Sequence, residues 1–190
     1  MSFNWRLVTT TVMCSGFFLI STCVAYDITY FQSAWSRTRI AIWQHPIEDQ
    51  HPPALAIAFI ELSSHGDTVP YATRLLIIRG DEEYRPKSGI SRQLKYATWC
   101  WLVASHLSES DRLSIIATFA VTGPQRHGLV ETAEMIFGKQ PSALSPSELA
   151  VLAILIQTPS ISQDTQRQEK AAVGFLARYE NSIYANGKPH

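Results

Sequence analysis

Few residues in this sequence have the types and spacing that chemistry at a protein site requires. The acidic run at residues 81–83 could bind a cation, although a run of like charges is more often a solvated loop. The three cysteines, Cys14, Cys23 and Cys100, are scattered and indicate neither a disulfide framework nor a zinc box. The six histidines show no ligand spacing either. We therefore predict no metal site from these residues.

Length and composition favour one compact domain. The chain has 190 residues, of which 46% are apolar and 17% charged, so it can bury a core and is not a disordered tail. The formal net charge is zero. A nucleic-acid partner usually calls for a basic patch, so this balance argues against nucleic-acid binding.

The N-terminal region is apolar. Residues 7–26 carry no charge, and 20 residues are enough for a helix to span a bilayer. Arg6 precedes this stretch and Asp27 follows it, so the positive-inside rule places the N-terminus in the cytoplasm and the remainder outside. A cleaved signal peptide, with Cys23 and Ala25 before the cut, is the alternative. Both alternatives predict a domain that works outside the cytoplasm.

The rest of the chain has a helical pattern with few strand signals, which predicts a mainly α fold. The predicted domain organisation is a membrane anchor at 1–30 (signal-anchor helix at about 7–26), a linker at 31–52, a helical domain at 53–180 and a tail at 181–190. Residues 30–42 could continue from the anchor as a helix. Within the domain we predict helices at residues 53–61, 71–79, 91–107, 112–121, 129–137, 149–156 and 166–179.

The best-defined helix start is at Ser145. Ser145 can cap the free N–H groups, Pro146 suits the first helical position, and Glu148 can close a capping box. The residues that follow leave no polar stripe, so this helix should be buried on most sides. Pro159 should end it.

The string "IFGKQPSALSPSELAVLAILIQTPS" resembles the C-terminal motif of family 51 peptidoglycan glycosyltransferases, the transglycosylase domain of class A penicillin-binding proteins and of monofunctional transglycosylases. The residues that carry this similarity are Phe137-Gly138-Lys139, Leu144-Ser145, Glu148-Leu149-Ala150 and Pro159. Upstream, "HGLVETAEM" is similar to the family's Tyr-Gly-aliphatic-Glu-Ala-Ala stretch, and Gly128, Glu131 and Ala133 fit it. The segment "RQLKYATWCWLVASHLSESDRLSII" resembles the family's Arg-Lys-x-x-Glu helix and the helix that follows it. The similarity extends from about residue 50 to residue 160.

The resemblance implies a lysozyme-like, mostly α transglycosylase domain behind one N-terminal transmembrane helix. Such domains polymerise lipid II into glycan strands at the outer face of the bacterial cytoplasmic membrane. A glutamate in a Glu-Asp pair acts as general base on the acceptor hydroxyl. A second glutamate, basic residues and often a divalent cation help the lipid diphosphate to leave. A sugar hydroxyl needs a base, and a diphosphate leaves only when its charge is neutralised.

The chain departs from the family pattern at the residues that would do this chemistry. The second glutamate maps to Tyr96, a phenol that carries no charge at neutral pH. The first glutamate maps to Glu61 if two residues are deleted, or to Ser63-Ser64 without a gap. The family's Gly-Gly-Ser-Thr-Ile-Thr-Gln-Gln segment is essentially missing, and residues 88–94 are at most its remnant.

By resemblance, Glu61 is the candidate general base, and the candidate substrate-binding residues are His65, Arg92, Lys95 and Lys139. Three of these residues, Glu61, His65 and Lys139, have a simpler interpretation. A helix-end glutamate and a loop histidine are usually solvated. Lys139 could touch a phosphate or only complement a helix C-terminus. We predict no resident cofactor; a divalent cation belongs only to an active enzyme.

Three functional hypotheses follow. The favoured one is a membrane-anchored relative with an eroded active site that binds lipid II, a glycan strand or a cell-wall synthesis protein. The second is an active monofunctional transglycosylase that uses Glu61 as its base. The third is an anchored helical interaction module unrelated to the cell wall, whose similarity reflects only amphipathic helices.

Overall fold

A computed structural model describes residues 21–80, 89–124 and 126–186, together with Ser15, Phe17 and Phe18. The described chain is mainly helical, which confirms the predicted fold class. Its helices are α1 Gln32–Trp43, α2 Ile47–Gln50, α3 Ala54–Ser63, α4 Val69–Gly80, α5 Gly89–His106, α6 Glu109–Phe119, α7 Leu129–Phe137, α8 Pro146–Gln157 and α9 Thr165–Asn186. A short antiparallel hairpin, β1 Val121–Gly123 and β2 Arg126–His127, precedes α7, and short 3₁₀ turns at Pro141–Ala143 and Pro159–Ile161 flank α8.

The helix at the centre of the fold is α8. Seven of its residues are buried, and it packs against α3, α7, α9 and β1. Its start has the predicted capping box: the Ser145 hydroxyl accepts the Glu148 N–H, and the Glu148 carboxylate accepts the Ser145 N–H. The helix ends at Gln157, two residues before Pro159. The prediction of a helix buried on most sides is confirmed.

The segment 31–52, predicted as a linker, is part of the packed structure, and the helix expected at 30–42 is present. A π-helical turn, Asp27–Phe31, leads into α1, which packs against α4 and α6. Phe31, Ala34 and Ile42 lie in the core. Thr38 is also buried on this face, between Ala34 and Ile42. At the other end, α9 continues to Asn186, so the first part of the predicted tail is helical.

Most of the predicted membrane span at 7–26 lies outside the described residues, as does the acidic run at 81–83. Within the described part of the chain, no helix is both long enough and apolar enough to cross a bilayer.

The junction between α6 and α7 explains one of the residues that resemble the family pattern. Gly128 has φ +83°, and a Cβ built on it would lie 2.7 Å from the Thr118 carbonyl oxygen. A side chain at this position would therefore be strained and would also clash. The buried Asp49 of α2 accepts a hydrogen bond from the Val130 N–H, 3.0 Å away, at the start of α7. Because Gly128 has no side chain, α2, α6 and α7 can pack together at this junction.

Candidate functional site

The loop between α3 and α4 forms one side of a polar cavity. The hydroxyls of Ser63 and Ser64 both donate to the Ile60 carbonyl at 2.6 Å, within the last turn of α3. His65 follows in the left-handed region, with φ +56°. Asp67 forms the turn that leads into α4, because its carboxylate accepts the Val69 N–H at 3.0 Å. These local contacts hold the loop as a turn with His65 exposed at its tip.

The cavity has a volume of about 510 Å³, within the usual range of ligand pockets. Its walls are the α3–α4 loop, the first turns of α4 and the C-terminal end of α8. The polar side chains that line it include Ser63, Ser64, His65, Asp67, Tyr71 and Arg74. Among these described residues, Asp67 is the one carboxylate, and it is engaged at the start of α4.

Two long-range hydrogen bonds join the cavity walls. The Tyr71 hydroxyl donates to the Ile156 carbonyl at 3.3 Å, and the Gln157 side-chain amide donates to the Ser63 carbonyl at 2.5 Å. Burial raises the pKa of Tyr71 to about 12, although the positive charge of Arg74 acts in the opposite direction. Tyr71 therefore remains a neutral hydrogen-bonding group. Arg74, one turn further along α4, is exposed and brings a fixed positive charge.

Tyr96, to which the family's second glutamate maps, lies beside this cavity. Its hydroxyl donates to the Pro70 carbonyl at 3.1 Å, and Pro70 is a cavity-lining residue. Burial raises the pKa of Tyr96, and the neighbouring Cys100 raises it further, while Arg74 lowers it. The phenol is therefore a neutral group that holds its proton at physiological pH.

The family's first glutamate maps either to Glu61 or to Ser63-Ser64, and these positions lie differently relative to the cavity. Ser63 and Ser64 line the cavity, whereas Glu61, half-buried on α3, is not among the lining residues. The side chains that face the cavity at this point are therefore the two serines of the ungapped alignment.

The other predicted site residues do not line this cavity. Arg92 is exposed on the first turn of α5. Lys95 is buried on α5, with its Nζ 5.2 Å from the centre of the Trp99 ring, and lines a separate groove. Lys139 forms an ion pair with Glu148 at 2.7 Å. Because Glu148 is on the first turn of α8 and Ile156 on its last, this pair lies about 12 Å along the helix from the cavity.

Tyr71 and Arg74 were not among the predicted site residues. Their spacing of three residues on α4 places them on one face of the helix, and both are hydrogen-bonding side chains among apolar neighbours. That spacing was the available signal. It could not show which other elements the face meets, because Ile156 and Gln157 are more than 80 positions away in sequence.

No group of three or more histidine, cysteine, aspartate or glutamate side chains in the described ranges could hold a metal ion. The divalent cation that the resemblance associates with an active enzyme therefore has no ligand cluster among these residues.

Comparison with known proteins identifies a family whose members this chain resembles. The sequence model of the transglycosylase family matches residues 73–181, from the first half of α4 into α9, which is more than half of the chain. No curated protein and no solved structure matches. The matched range includes Tyr96 and the Gly128 junction but begins after Glu61, Ser63 and Ser64. A match of this extent argues against similarity that reflects only amphipathic helices. The chain belongs to the transglycosylase family, of the family 51 type.

Proposed function

We propose that this chain binds lipid II or the glycan strand made from it, through the cavity beside Tyr96, and does not polymerise it. A transglycosylase domain implies a peptidoglycan glycosyltransferase-like function and a glycan or lipid II substrate in general terms. The observation that carries the proposal is the combination at one cavity of a fixed positive charge on Arg74 with neutral groups where the family has its carboxylates.

The binding half of the proposal rests on the polar lining of the cavity. Arg74 can form charge-assisted hydrogen bonds to a diphosphate, and these are the stronger class of hydrogen bond. His65 and the two serines add groups of the kind that contact sugar hydroxyls. The hydrogen bonds from Tyr71 and Gln157 hold the walls in place before a ligand arrives, which lowers the entropic cost of binding.

The absence of turnover rests on proton transfer. A general base must accept a proton from the acceptor hydroxyl at neutral pH. Tyr96 keeps its proton because its pKa is raised, and the hydroxyls of Ser63 and Ser64 are committed as donors to Ile60. None of these three residues, at the positions to which the family's glutamates map, is therefore placed as a base. Asp67 is an exposed carboxylate that accepts the Val69 N–H, but neither family glutamate maps to it.

The proposed location is the outer face of the bacterial cytoplasmic membrane, with the segment 7–26 as a single-pass anchor and the domain on the periplasmic or extracellular side. This is supported by the uncharged length of that segment and by the membrane-bound nature of lipid II. Cell-wall synthesis proteins are the proposed partners. The role is then to hold substrate or product near an active polymerase.

The first experiment measures lipid II binding and turnover by the full chain in neutral detergent with Mg²⁺ present. We expect binding without polymer. Arg74→Gln should weaken binding about tenfold, the loss expected for one charge-assisted hydrogen bond. Arg39→Gln is the matched control, because Arg39 is exposed, stacks on Trp43 at 5.4 Å and does not line the cavity. Unchanged binding by Arg74→Gln would contradict the assignment of the cavity.

The same assay decides whether the chain is an active transglycosylase. Glu61 lies two residues before Ser63 on α3, so the two side chains are about 200° apart around the helix axis. Glu61 could act at the cavity only if the last turn of α3 rearranged. Polymer from the wild type and none from Glu61→Gln would establish Glu61 as the base and overturn the proposed lack of turnover. Polymer from both would place the base elsewhere.

A further inference from the structure

The π-helical turn Asp27–Phe31 lies where the uncharged segment 7–26 meets the packed domain. Residues 21–26 before it and α1 after it are α-helical, so the turn interrupts one continuous helix. The Gln32 N–H donates to the Asp27 carbonyl, five residues back, which is the π-helical hydrogen bond. Such a turn holds one more residue than an α-helical turn, is rare, and occurs frequently at functional sites.

Two side chains of α5 contact both ends of this turn. The Trp99 indole N–H donates to the Tyr26 hydroxyl at 2.9 Å, and the Trp99 ring packs edge-on against Phe31, with 5.6 Å between the ring centres. The His106 Nε2 lies 3.1 Å from the Asp27 carboxylate, and its ring centre lies 5.6 Å from that of Phe31. Trp99 and His106 therefore both join the start of the turn to its end.

These contacts require the π-helical geometry. Phe31 is fully buried, which fixes the helix after the turn in the core. In an α-helix, residues five apart point about 140° away from each other, so Tyr26 and Phe31 would not both face Trp99. In a π-helical turn, residues five apart are hydrogen-bonded neighbours and share a face. The Gln32 side-chain amide, 3.5 Å from the Asp27 carboxylate, has the same alignment.

We propose that the turn is a rotational switch between this π-helical state and an α-helical state. In the α-helical state Phe31 and α1 keep their places in the core, while the helix before the turn rotates by about 100° and shifts by one residue. Asp27 then takes the place of Tyr26 beside Trp99. Its ion pair with His106 breaks. Trp99 is only 1% exposed, and its N–H has an acceptor in both states, so neither state leaves a buried donor unpaired.

The contacts that favour the π-helical state are individually weak. The side chains of His106 and Asp27 are 37% and 22% exposed, and ion pairs between partly exposed groups add little stability. The bond from Trp99 to Tyr26 is one neutral hydrogen bond. The two states are therefore close enough in free energy to exchange. Because the proposed anchor ends at this turn, rotation of the anchor acts first on the switch. The proposal uses no residue of the polar cavity, so it and the proposed function can fail independently.

The test measures the rotation by pulsed electron paramagnetic resonance on the full-length chain in neutral detergent. One spin label is attached to Cys23, which is exposed before the turn, and the second to Lys170→Cys on α9, with Cys14→Ser and Cys100→Ser to remove the other thiols. A rotation of about 100° at a side-chain radius of about 5 Å moves the first label by roughly 8 Å. A second pair, with the reference label on Glu109→Cys at the exposed start of α6, measures the same movement from another direction.

The wild type should show a major distance and a minor one. Tyr26→Phe and His106→Gln each remove one contact of the π-helical state, so each should raise the minor population about fivefold, as for one hydrogen bond. Tyr30→Phe is the matched control, because Tyr30 is exposed within the same turn. Deletion of Ile28 removes the extra residue, so Tyr26 and Phe31 become four apart and share a face of an α-helix. This variant should show one distance.

Circular dichroism melting confirms that each variant is folded before the distances are compared, and the two point variants decide the test if the deletion unfolds the chain. Distances in Tyr26→Phe and His106→Gln that match those in Tyr30→Phe, for both label pairs, would overturn the proposal and leave the turn as a fixed part of the fold. A second distance that persists after deletion of Ile28 would also overturn it, because the extra residue would not be its source.

Discussion

The Gly128 junction and the polar cavity that Ser63, Tyr71 and Arg74 line differ in how tightly the surrounding structure constrains their residues. At the junction, Gly128 has no room for a Cβ and Asp49 is buried against the start of α7. At the cavity, Ser63, Ser64 and Tyr96 make hydrogen bonds that are local or lie near the surface. The long-range hydrogen bonds that join the cavity walls are accepted by the backbone carbonyls of Ser63 and Ile156, so they do not depend on the Ser63, Ser64 or Tyr96 side chains. Substitution at the junction should therefore cost more stability than substitution of those three side chains.

The largest effect should follow Gly128→Ala at the junction. The added methyl group would lie 2.7 Å from the Thr118 carbonyl oxygen, on a backbone with φ +83°. Strain and steric conflict together should lower the free energy of unfolding by about 3 kcal/mol. Urea denaturation followed by circular dichroism measures this.

Gly174→Ala is the matched control for that substitution. Gly174 is exposed within α9, and a Cβ there would meet nothing within 4 Å. Alanine should therefore stabilise the helix by up to about 1 kcal/mol. If both glycine substitutions changed stability alike, the constraint at the junction would be refuted.

The next largest effect should follow Asp49→Ala, which leaves the buried Val130 N–H without its acceptor. The expected loss is about 2 kcal/mol. Asp49→Asn retains an acceptor oxygen and should cost less.

The same carboxyl group should make stability depend on pH. Burial raises the pKa of Asp49 above its ordinary value of 3.8, so the folded state keeps the Asp49 proton to a higher pH than the unfolded state does. The contribution of Asp49 to stability therefore falls as pH rises above about 4. Asp49→Asn should remove this decline, and denaturant midpoints measured from about pH 4 to pH 7 would show it. Equal losses from both variants would mean that the hydrogen bond is not the cause.

Features that depend on neighbours in sequence could be predicted, and features that depend on distant residues could not. The capping box of Ser145 and Glu148 was readable because its groups are three residues apart. The contact of Asp49 with Val130 joins residues 81 positions apart, and no local pattern indicates it. The β1–β2 hairpin was missed for a related reason, since its two strands are too short to show alternation.

The residues of the candidate site also fall into those that the sequence could predict and those that it could not. Resemblance placed Tyr96 where the family has a carboxylate, and the structure puts it beside the cavity. Resemblance also proposed Lys95 and Lys139, which lie in a separate groove and at the far end of α8. Tyr71 and Arg74 became visible only when α4 was packed against the end of α8.

A smaller effect is expected for Tyr96→Phe, on the cavity side of the comparison. The substitution removes one hydrogen bond from a side chain that is 39% exposed. Stability should fall by about 1 kcal/mol or less, well below the effect of Gly128→Ala. Thermal melting of the two variants in one buffer makes the comparison direct. A loss as large as that at Gly128 would show that Tyr96 holds the scaffold together, and the contrast between the two regions would fail.

The smallest change in stability is expected when the ion pair between Lys139 and Glu148 is removed. Its removal tests whether the lysine of the Phe-Gly-Lys motif stabilises the fold. Hydrogen bonds from Lys139 and from Ser145 lower the pKa of Glu148 from 4.5 to about 2. Because the folded-state pKa is the lower one, the contribution of Glu148 to stability is present above about pH 4.5 and is lost as pH falls towards 2. Lys139→Met should weaken this acid dependence, and Glu148→Gln should remove it while retaining a side chain that can close the capping box. Melting temperatures between about pH 2 and pH 6 measure the difference, with Lys170→Met as the control. If Lys139→Met reduced lipid II binding and left the acid dependence unchanged, the lysine would serve the ligand and not α8.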